Sequence, residues 1–316
     1  MIQPIYKNKG PRNDPDNYRG ISLLSCVAKL FTACVNSRLS LFLEENDLIK
    51  ENQAGFRNGY STTDHIFSLH SIIDLYLRKK KRIYAAFIDY RKAFDLVHRA
   101  SLWKKLMLHQ INGNILKLIY SIYENAKSCV KVGNTFSRFF PCKTGVRQGD
   151  NLSPLLFSIY LNDFEDFLFK KYKGLDDLAN DIDQMSNDQN LTVFLRLYIL
   201  LYADDTVILA ETEKELQLAL DSLEEYCSLW NLQVNLDKTK VVIFSRGKIR
   251  KFRKFTFAGE QVEVVPEYIY LGIVMNYNNK FNKAIERLCM LARKAIFSLK
   301  SKILNLNLPI DLQIDL

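Results

Sequence analysis

Three aspartates carry the most specific chemical signal in the sequence. Asp204 and Asp205 lie between two apolar, strand-like runs, and this pattern predicts a tight hairpin with both carboxylates at its turn. A further apolar run, residues 83–88, also ends in a carboxylate, Asp89. An isolated Asp-Asp pair is most often an ordinary turn. Three acids brought together by two strands of one sheet would repel one another unless cations neutralised them, so the pattern indicates a two-Mg²⁺ site for phosphoryl transfer, with Mn²⁺ as an alternative ion.

The composition describes a globular chain with an uneven charge distribution. The length of 316 residues is enough for one large or two medium domains. The residues are 48% hydrophobic and 25% charged, and the net charge is +9. Between Lys238 and Lys302 stand 15 Lys or Arg against four Glu, and a second basic cluster occupies 78–82. Such stripes favour a polyanionic partner, although a solvated basic face is the commoner explanation of any single run.

Cysteine usage and hydropathy exclude several classes of protein. The six cysteines form no Cys-x-x-Cys pair, and the four histidines stand at no metal-ligand spacing with them, which argues for reduced thiols and against zinc. No uninterrupted apolar stretch reaches the roughly 18 residues of a spanning helix, and the N-terminus lacks a signal-peptide pattern. We therefore expect a soluble intracellular protein with no membrane partner, in the nucleus or the cytoplasm.

Periodicity and capping residues predict the elements that must position the acids. The predicted helices run from Ser25 to about Asn46, from Ser61 or Thr63 through Leu77, from after Ser101, from Ser153 as N-cap with Pro154 following, and over about 212–230 and 281–302. A basic hairpin is expected over roughly 252–265 and a turn at 270–273, whereas the Asp-rich residues 173–190 indicate a flexible insertion.

Two glycine-containing loops are candidates for ligand contact. Gly55, Phe56 and Arg57 stand in a loop with aromatic and basic residues, which suits stacking on and clamping nucleic acid, but a folded turn explains them equally well. Arg147 and Gln148 come where the chain enters the helix at Ser153, a place that suits an anionic ligand.

Taken in order, these segments resemble a reverse transcriptase of the non-LTR (LINE-like) retrotransposon type. The matching motifs cover nearly the whole chain: Asn17-Tyr18-Arg19-Gly20-Ile21-Ser22-Leu23-Leu24, Gln53-Ala54-Gly55-Phe56-Arg57, Phe87-Ile88-Asp89-Tyr90-Arg91-Lys92-Ala93-Phe94-Asp95, Gly145-Val146-Arg147-Gln148-Gly149 with Leu152-Ser153-Pro154, Tyr202-Ala203-Asp204-Asp205, Asn235 with Lys238-Thr239, and Tyr270-Leu271-Gly272. A lone Tyr-Ala-Asp-Asp would be a weak signal, but seven ordered motifs make coincidence improbable.

The resemblance implies an α+β right-hand polymerase. Residues 1–82, with part of 113–152, would form the fingers, and residues 83–276 a palm whose antiparallel sheet is backed by helices. Residues 277–316 would begin a thumb that stays incomplete. The implied activity is RNA-directed DNA polymerisation, with an RNA template, a DNA primer and dNTPs as partners.

The resemblance also implies a role for each matching site residue. Asp89, Asp204 and Asp205 would bind the metal ions, and Lys238 would protonate the departing pyrophosphate. Around the nucleotide, Phe94 would pack under the sugar and exclude a 2′-hydroxyl, Tyr90 and Gln148 would border it, and Arg19 and Lys7 would meet its triphosphate. Nucleic acid would contact Gly55, Phe56, Arg57, Lys251 and Arg253.

Departures from the family pattern leave other functions open. Gly20 stands where many relatives have proline, no endonuclease region is present, and the sequence starts inside the fingers and stops at Leu316. We therefore expect an excerpt or a decayed copy of a larger element. A non-catalytic nucleic-acid-binding remnant is one alternative. An RNA-synthesising polymerase is another, and Phe94 argues against it because ribonucleotides would clash there.

Overall fold

The computed structural model describes residues 1–171, 199–247 and 252–305. The predicted insertion at 173–190 and the candidate residue Lys251 lie outside this part of the chain. The helices of the described ranges are α1 (Cys26–Glu45), α2 (Thr62–Arg78), α3 (Arg99–Leu108), α4 (Gly113–Glu124), α5 (Ser153–Leu161), α6 (Phe164–Phe169), α7 (Glu213–Trp230) and α8 (Asn282–Asn305). The strands are β1 (Ile2–Tyr6), β2 (Tyr18–Ser22), β3 (Ile83–Asp89), β4 (Lys127–Ser128), β5 (Lys131–Val132), β6 (Thr135–Phe136), β7 (Phe140–Pro141), β8 (Ile199–Tyr202), β9 (Asp205–Ala210), β10 (Lys240–Phe244), β11 (Phe255–Phe257), β12 (Glu260–Val264), β13 (Glu267–Tyr270) and β14 (Ile273–Asn276).

A six-stranded sheet in the order β11-β12-β10-β3-β9-β8 forms the centre of the fold. The first six residues of β3 are all buried, because α2 and α7 contact this strand and its apolar run has no polar alternation. The sheet was predicted to be antiparallel, and all its pairs are antiparallel except β10 with β12, which is parallel. That prediction is corrected at this pair, since the chain enters β12 only after the short strand β11.

Side-chain caps explain several helix starts, and two predicted starts need correction. Ser61 and Thr212 each cap their helix with a reciprocal capping box, so the local pattern is confirmed at α2 and α7. Ser101 lies inside α3, which begins at Arg99. Ser153 is the first residue of α5 and not its N-cap, and its buried hydroxyl lies 3.3 Å from the hydroxyl of Tyr123.

Four pairs of short strands surround the central sheet. β1 pairs with β2 across a loop that contains a short 3₁₀ helix at Pro15–Asn17. β4 pairs with β7 and β5 with β6, and the Ile2 amide donates to the Cys129 carbonyl at 2.7 Å, which joins β1 to this region. The β13–β14 hairpin turns at Leu271 and Gly272, both with positive φ, where the sequence predicted a turn.

Helix α1 differs from the expectation that no segment could cross a membrane. Its 20 residues are long and apolar enough to do so by length and composition alone, and 22% of the tested stretch is buried. Core helices of soluble proteins meet the same criterion. The helix begins at the predicted cap Ser25, and its buried face includes Val35, Leu39 and Leu43.

Candidate active site

Two neighbouring strands bring the three aspartates to one end of the central sheet. Asp89, the last residue of β3, is the register partner of Asp205, the first residue of β9. The β8–β9 hairpin turns through Ala203 and Asp204, and of these two only Ala203 is left-handed, with φ of +59°. A positive φ at the first central position is the signature of a type II′ turn, which matches the twist of a hairpin. The predicted hairpin is therefore confirmed.

Residues 53–55, which precede α2, pack against this turn. The Ala54 amide donates to the Leu201 carbonyl at 3.0 Å, so the segment runs along β8. The buried Gln53 carboxamide oxygen accepts from the Gly55 amide at 3.0 Å and lies 3.4 Å from the Ala203 amide nitrogen. A Cβ at Gly55 would lie 2.2 Å from that nitrogen, so only glycine permits this approach.

Most of the predicted nucleic-acid loop forms internal contacts. The Arg57 side chain, 5% exposed, donates to both carboxylate oxygens of Glu44 at 2.9 and 2.7 Å and to the carbonyls of Lys50 and Gln53. The Phe56 ring remains 55% exposed. Gly55 and Arg57 therefore have structural roles, and nucleic-acid binding by this loop stays a prediction that depends on Phe56.

The three carboxylates influence one another electrostatically. Burial, followed by the charges of Asp204 and Asp89, raises the pKa of Asp205 to about 6, and Lys238 opposes the shift. Burial and the charge of Asp89 also raise the pKa of Asp204. The Lys238 amine lies 3.2 and 3.1 Å from the two carboxylate oxygens of Asp89. The acids thus form one electrostatic unit in which a lysine supplies the positive charge.

Hard cations fit this unit by donor chemistry. Carboxylate oxygens are the ligands that Mg²⁺ prefers, and a cation would oppose both the burial and the mutual repulsion that raise the pKa values of Asp204 and Asp205. Within the described ranges no three His, Cys, Asp or Glu side chains are already arranged to hold a metal ion.

A cavity of about 340 Å³ opens at these acids. All nine residues predicted for catalysis and nucleotide binding line it: Lys7, Arg19, Asp89, Tyr90, Phe94, Gln148, Asp204, Asp205 and Lys238. The sequence reasoning missed four further lining residues: Tyr18, Lys92, Ala93 and Asp95. All four stand inside the quoted motifs, so treating whole motifs rather than single positions would have found them.

A glycine-containing loop holds Phe94 in this cavity. The Phe94 ring stacks on Phe157 with a centroid distance of 5.1 Å and an interplanar angle of 20°. The Val146 amide donates to the Phe94 carbonyl at 2.8 Å. Gly145 has φ of +78°, and a Cβ there would lie 2.5 Å from the Asp95 carbonyl oxygen. The ring position is thus fixed from two sides.

Cationic side chains reach the cavity from the N-terminal strands. Arg19 lies in β2, and the Ser22 amide at the end of this strand donates to the Gln148 carbonyl at 2.7 Å. Lys7 follows β1, and its amine donates to the Asp16 carbonyl at 2.8 Å. The Lys92 amine, one of the missed residues, lies 2.8 Å from the Asp16 carboxylate.

The predicted contacts of Tyr90 and Arg147 have other surroundings than expected, whereas the prediction that Arg253 contacts nucleic acid stays a prediction. The Tyr90 ring is buried in the core, which raises the pKa of its phenol, so it forms a wall of the cavity. The Arg147 side chain donates to the Ile122 carbonyl at 2.8 Å and lies over the Tyr123 ring. Of the two residues predicted to contact an anion, only Gln148 lines the cavity. Arg253 is exposed away from the lining of this cavity.

A family model described as "Reverse transcriptase (RNA-dependent DNA polymerase)" matches residues 5–275. The chain belongs to this family. Its similar proteins include "Probable RNA-directed DNA polymerase from transposon BS" of Drosophila melanogaster, 28% identical over 95% of this chain and 33% of the relative. The jockey polymerase of Drosophila funebris is also 28% identical, over 87% of this chain and 28% of its own length. The chain is thus a non-LTR retrotransposon reverse transcriptase domain that spans about a third of these relatives.

Solved structures of similar fold come from telomerase. Apo telomerase from Candida tropicalis, truncated from the C-terminal domain, matches with a TM-score of 0.50 and 16% identity over 78% of this chain and 51% of its own. Telomerase from Candida albicans, in complex with the TWJ fragment of telomeric RNA, matches with a TM-score of 0.50 and 15% identity over 77% and 36%. At these identities the likeness shows the fold alone, a right-hand polymerase of mixed α+β structure.

Proposed function

We propose that this domain copies an RNA template into DNA by adding deoxynucleotides to the 3′-hydroxyl of a DNA primer. The observation that carries the proposal is the register pair Asp89–Asp205, which sets the acids in a cavity lined by cationic and aromatic side chains. The retrotransposon relatives named as RNA-directed DNA polymerases support the same reaction.

Reverse transcriptases use divalent metal ions, and here Asp89, Asp204 and Asp205 would hold two Mg²⁺ ions, with Mn²⁺ as an alternative. When bound, these ions would favour deprotonation of the primer 3′-hydroxyl and stabilise negative charge on the leaving phosphates. The protein itself contributes the fixed positions of the carboxylates, because the hairpin turn is held against Gln53 and Gly55.

The other cavity residues would position the nucleotide. The Phe94 ring, fixed on Phe157, would lie beneath the sugar and exclude a 2′-hydroxyl. Arg19 and Lys7 would contact the triphosphate, and Gln148 would border the base and sugar. The exposed Lys238 ammonium, beside Asp89, would protonate the departing pyrophosphate.

We assign the parts of the hand as follows. Residues 1–82 with part of 113–152 would form the fingers, because β1 and β2 carry Lys7 and Arg19 to the cavity and β1 joins the short strands near Cys129. Residues 83–276 would form the palm around the central sheet. The long basic helix α8 would begin the thumb at about residue 277.

Primer extension tests the proposal. The purified chain, a DNA primer on an RNA template, dNTPs and Mg²⁺ should give extended products, and Asp204→Asn should not. Extension with ribonucleotides in preference to dNTPs would indicate an RNA-synthesising polymerase instead. Binding of the primer–template without any extension, in Mg²⁺ or Mn²⁺, would contradict the proposal and indicate a non-catalytic remnant.

A further inference from the structure

The segment between α4 and α5 has an unusual composition and exposure. Residues 125–149 contain five Lys or Arg and no Asp or Glu. Residues 132–140 are all exposed, and three of them are phenylalanines, with Phe136 56% and Phe139 73% exposed. Exposed aromatic residues concentrated in one place mark an interaction surface more often than scattered ones do.

An ordered framework presents these rings. The β5–β6 hairpin places the Lys131 amine 5.7 Å from the centre of the Phe136 ring. The Ser137 amide donates to the Val130 carbonyl at 2.9 Å, and the Cys142 amide donates to the Ala126 carbonyl at 2.8 Å. The aromatic and basic side chains therefore stand on a hydrogen-bonded backbone.

A second cavity of about 340 Å³ adjoins this framework through Lys127, Pro141 and Lys143. Its aromatic wall is formed by Trp103 and Tyr120, whose rings lie 5.8 Å apart in an edge-to-face arrangement. Glu124, which accepts from the Tyr120 hydroxyl at 3.3 Å, is the acid at its edge.

The rim of this second cavity is fixed by one arginine. The Arg99 guanidinium donates to four backbone carbonyls, those of Tyr123, Cys142, Thr144 and Gly145. None of the residues that line this cavity also lines the cavity at the aspartates. The two sites are therefore separate.

We propose that the β4–β7 segment, residues 127–143, and the cavity of Trp103 and Tyr120 form a binding site for single-stranded RNA. Flat aromatic rings offer stacking surfaces to unpaired bases, and the cations Lys127, Lys131, Arg138 and Lys143 of the same segment can neutralise the phosphates between those bases. An acidic protein partner would satisfy the charges, but it would not need three exposed phenylalanine rings within the same basic segment. The proposal goes beyond polymerisation, because RNA would bind here whether or not a nucleotide is added.

Binding of a labelled, unstructured oligouridine RNA of about 20 nucleotides tests the site, with a blunt DNA–RNA duplex added to occupy the catalytic cleft. The double variant Phe136→Ser with Phe139→Ser should bind this RNA at least about tenfold more weakly, because two rings that stack on bases are removed. Phe67→Ser, at a 66% exposed phenylalanine of α2, is the matched control and should bind as the parent does.

The charges give an independent readout. Replacing Lys131 and Arg138 with Gln should reduce the slope of log affinity against log salt by roughly 0.7 for each phosphate that is no longer neutralised. Lys214→Gln, at an exposed lysine of α7, should leave the slope unchanged. Tyr120→Ala should lower crosslinking between a 4-thiouridine-containing RNA and the peptide that contains Trp103.

Unchanged RNA affinity in the phenylalanine double variant, with an unchanged salt slope in the Gln variant, would overturn the proposal and point to a protein partner. Primer extension on a template with a one-nucleotide overhang separates this outcome from failure of the catalytic cleft. The double phenylalanine variant should extend such a primer as the parent does, because none of its substitutions lies in the cavity at the aspartates.

Discussion

The buried, negatively charged surroundings of Asp205 lower the stability of the fold when its carboxylate is ionised. Burial and the charges of Asp204 and Asp89 raise its pKa from 3.8 to about 6. An acid whose pKa is higher in the folded state binds protons more readily there, so folding is favoured by protonation. In the absence of divalent ions its destabilising effect is absent below about pH 4, grows as pH rises and is complete above about pH 6.

Asp205→Asn should therefore separate function from stability. The variant should show no primer extension, because it lacks a metal ligand. In EDTA at pH 7.5 its free energy of unfolding should exceed the parent's by on the order of 1 kcal/mol, less than the full pKa shift implies because the carboxyl is partly exposed. Urea denaturation at pH 7.5 and 4.0 checks this, since the gain should vanish at the lower pH. Extension near the parental rate would rule out the metal role.

Phe94 is the residue that should set sugar selectivity. Its ring lines the catalytic cavity and rests on Phe157, so Phe94→Val should open space beneath the sugar while dNTP use survives. We expect the preference for dNTPs over NTPs to fall by about tenfold or more, measured as the ratio of kcat/KM values. Phe164→Leu, at a buried phenylalanine whose ring packs on Tyr226 outside the cavity lining, serves as the packing control. If Phe94→Val selects as strongly as the parent, Phe94 is only a core residue.

At the scale of elements, the catalytic hairpin depends on a backbone contact that needs a glycine. Gly55 approaches the Ala203 amide so closely that any side chain would displace one of the two segments. Since Ala203 precedes Asp204 and Asp205, such a displacement moves the carboxylates themselves. A misplacement of about 1 Å is enough to lower the rate on the order of a hundredfold.

Gly55→Ala should accordingly lower kcat strongly, by about tenfold or more, while the affinity for a primer–template duplex changes little. Gly247→Ala is the matched control, because a Cβ at Gly247 meets nothing within 4 Å and its φ is not left-handed. Steady-state extension and duplex binding are the measurements. Parental kcat in Gly55→Ala would show that the hairpin tolerates the contact.

Helices α3, α5 and α7 meet at a buried lysine. The Lys105 amine donates to the Tyr160 carbonyl, the Tyr226 hydroxyl and the Asp163 carboxylate, and it lies 4.0 Å from the centre of the Trp230 ring. Burial lowers the pKa of this lysine to about 8, against the opposing charge of Asp163. Because the unfolded chain keeps the ordinary pKa of 10.5, folding releases a proton between pH 8 and 10.5, and this lysine's contribution to stability rises with pH there.

Lys105→Met should remove that pH dependence. The difference in unfolding free energy between parent and variant should shift by on the order of 1 kcal/mol in the parent's favour between pH 7.5 and 9.5. Lys104→Met, the neighbouring residue on the exposed side of α3, controls for the removal of a positive charge. Parallel stability curves for Lys105→Met and the parent across this range would contradict the assigned pKa direction.

Across the whole molecule, the sequence pattern located the catalytic hairpin and several helix starts, but it missed the parallel pairing of β10 with β12. Ser61, one of the two caps predicted for α2, and the Tyr202–Asp205 hairpin depend on neighbouring residues, so pattern alone located them, although the same reasoning misplaced the starts of α3 and α5. The Asp89–Asp205 pairing joins residues far apart in sequence, and the acids at the ends of two apolar runs suggested it before the family resemblance implied the same set. The parallel β10–β12 pair depends on distant contacts that no local pattern encodes.

The same limit applied to the candidate site. The pattern of Gly55, Phe56 and Arg57 suggested a loop that binds nucleic acid. The sequence did not reveal that Arg57 is already paired with Glu44, because Glu44 lies 13 residues away in another element. The residues around Phe94 were located through their motifs, whereas the second cavity, which joins Trp103 to Lys143, requires three elements to come together. Burial of a charged group is thus the property that sequence reasoning judged least well.

The basic C-terminal region would bind the phosphates of a nucleic acid that extends across the whole molecule. Lys294 and Lys300 of α8 and Arg253 before β11 are exposed, while Lys283 is paired with Glu267.

We expect a DNA–RNA primer–template to bind with about four to six phosphate contacts, so its affinity should fall about a hundredfold or more between 50 and 200 mM salt. Converting Arg253, Lys294 and Lys300 to Gln should lower the salt slope by roughly one unit for each phosphate that these side chains neutralise in the parent. The matched control converts the exposed Arg38, Lys117 and Lys214 to Gln, which removes the same charge from other elements. An unchanged slope in the first triple variant would show that the C-terminal basic residues form only a solvated face.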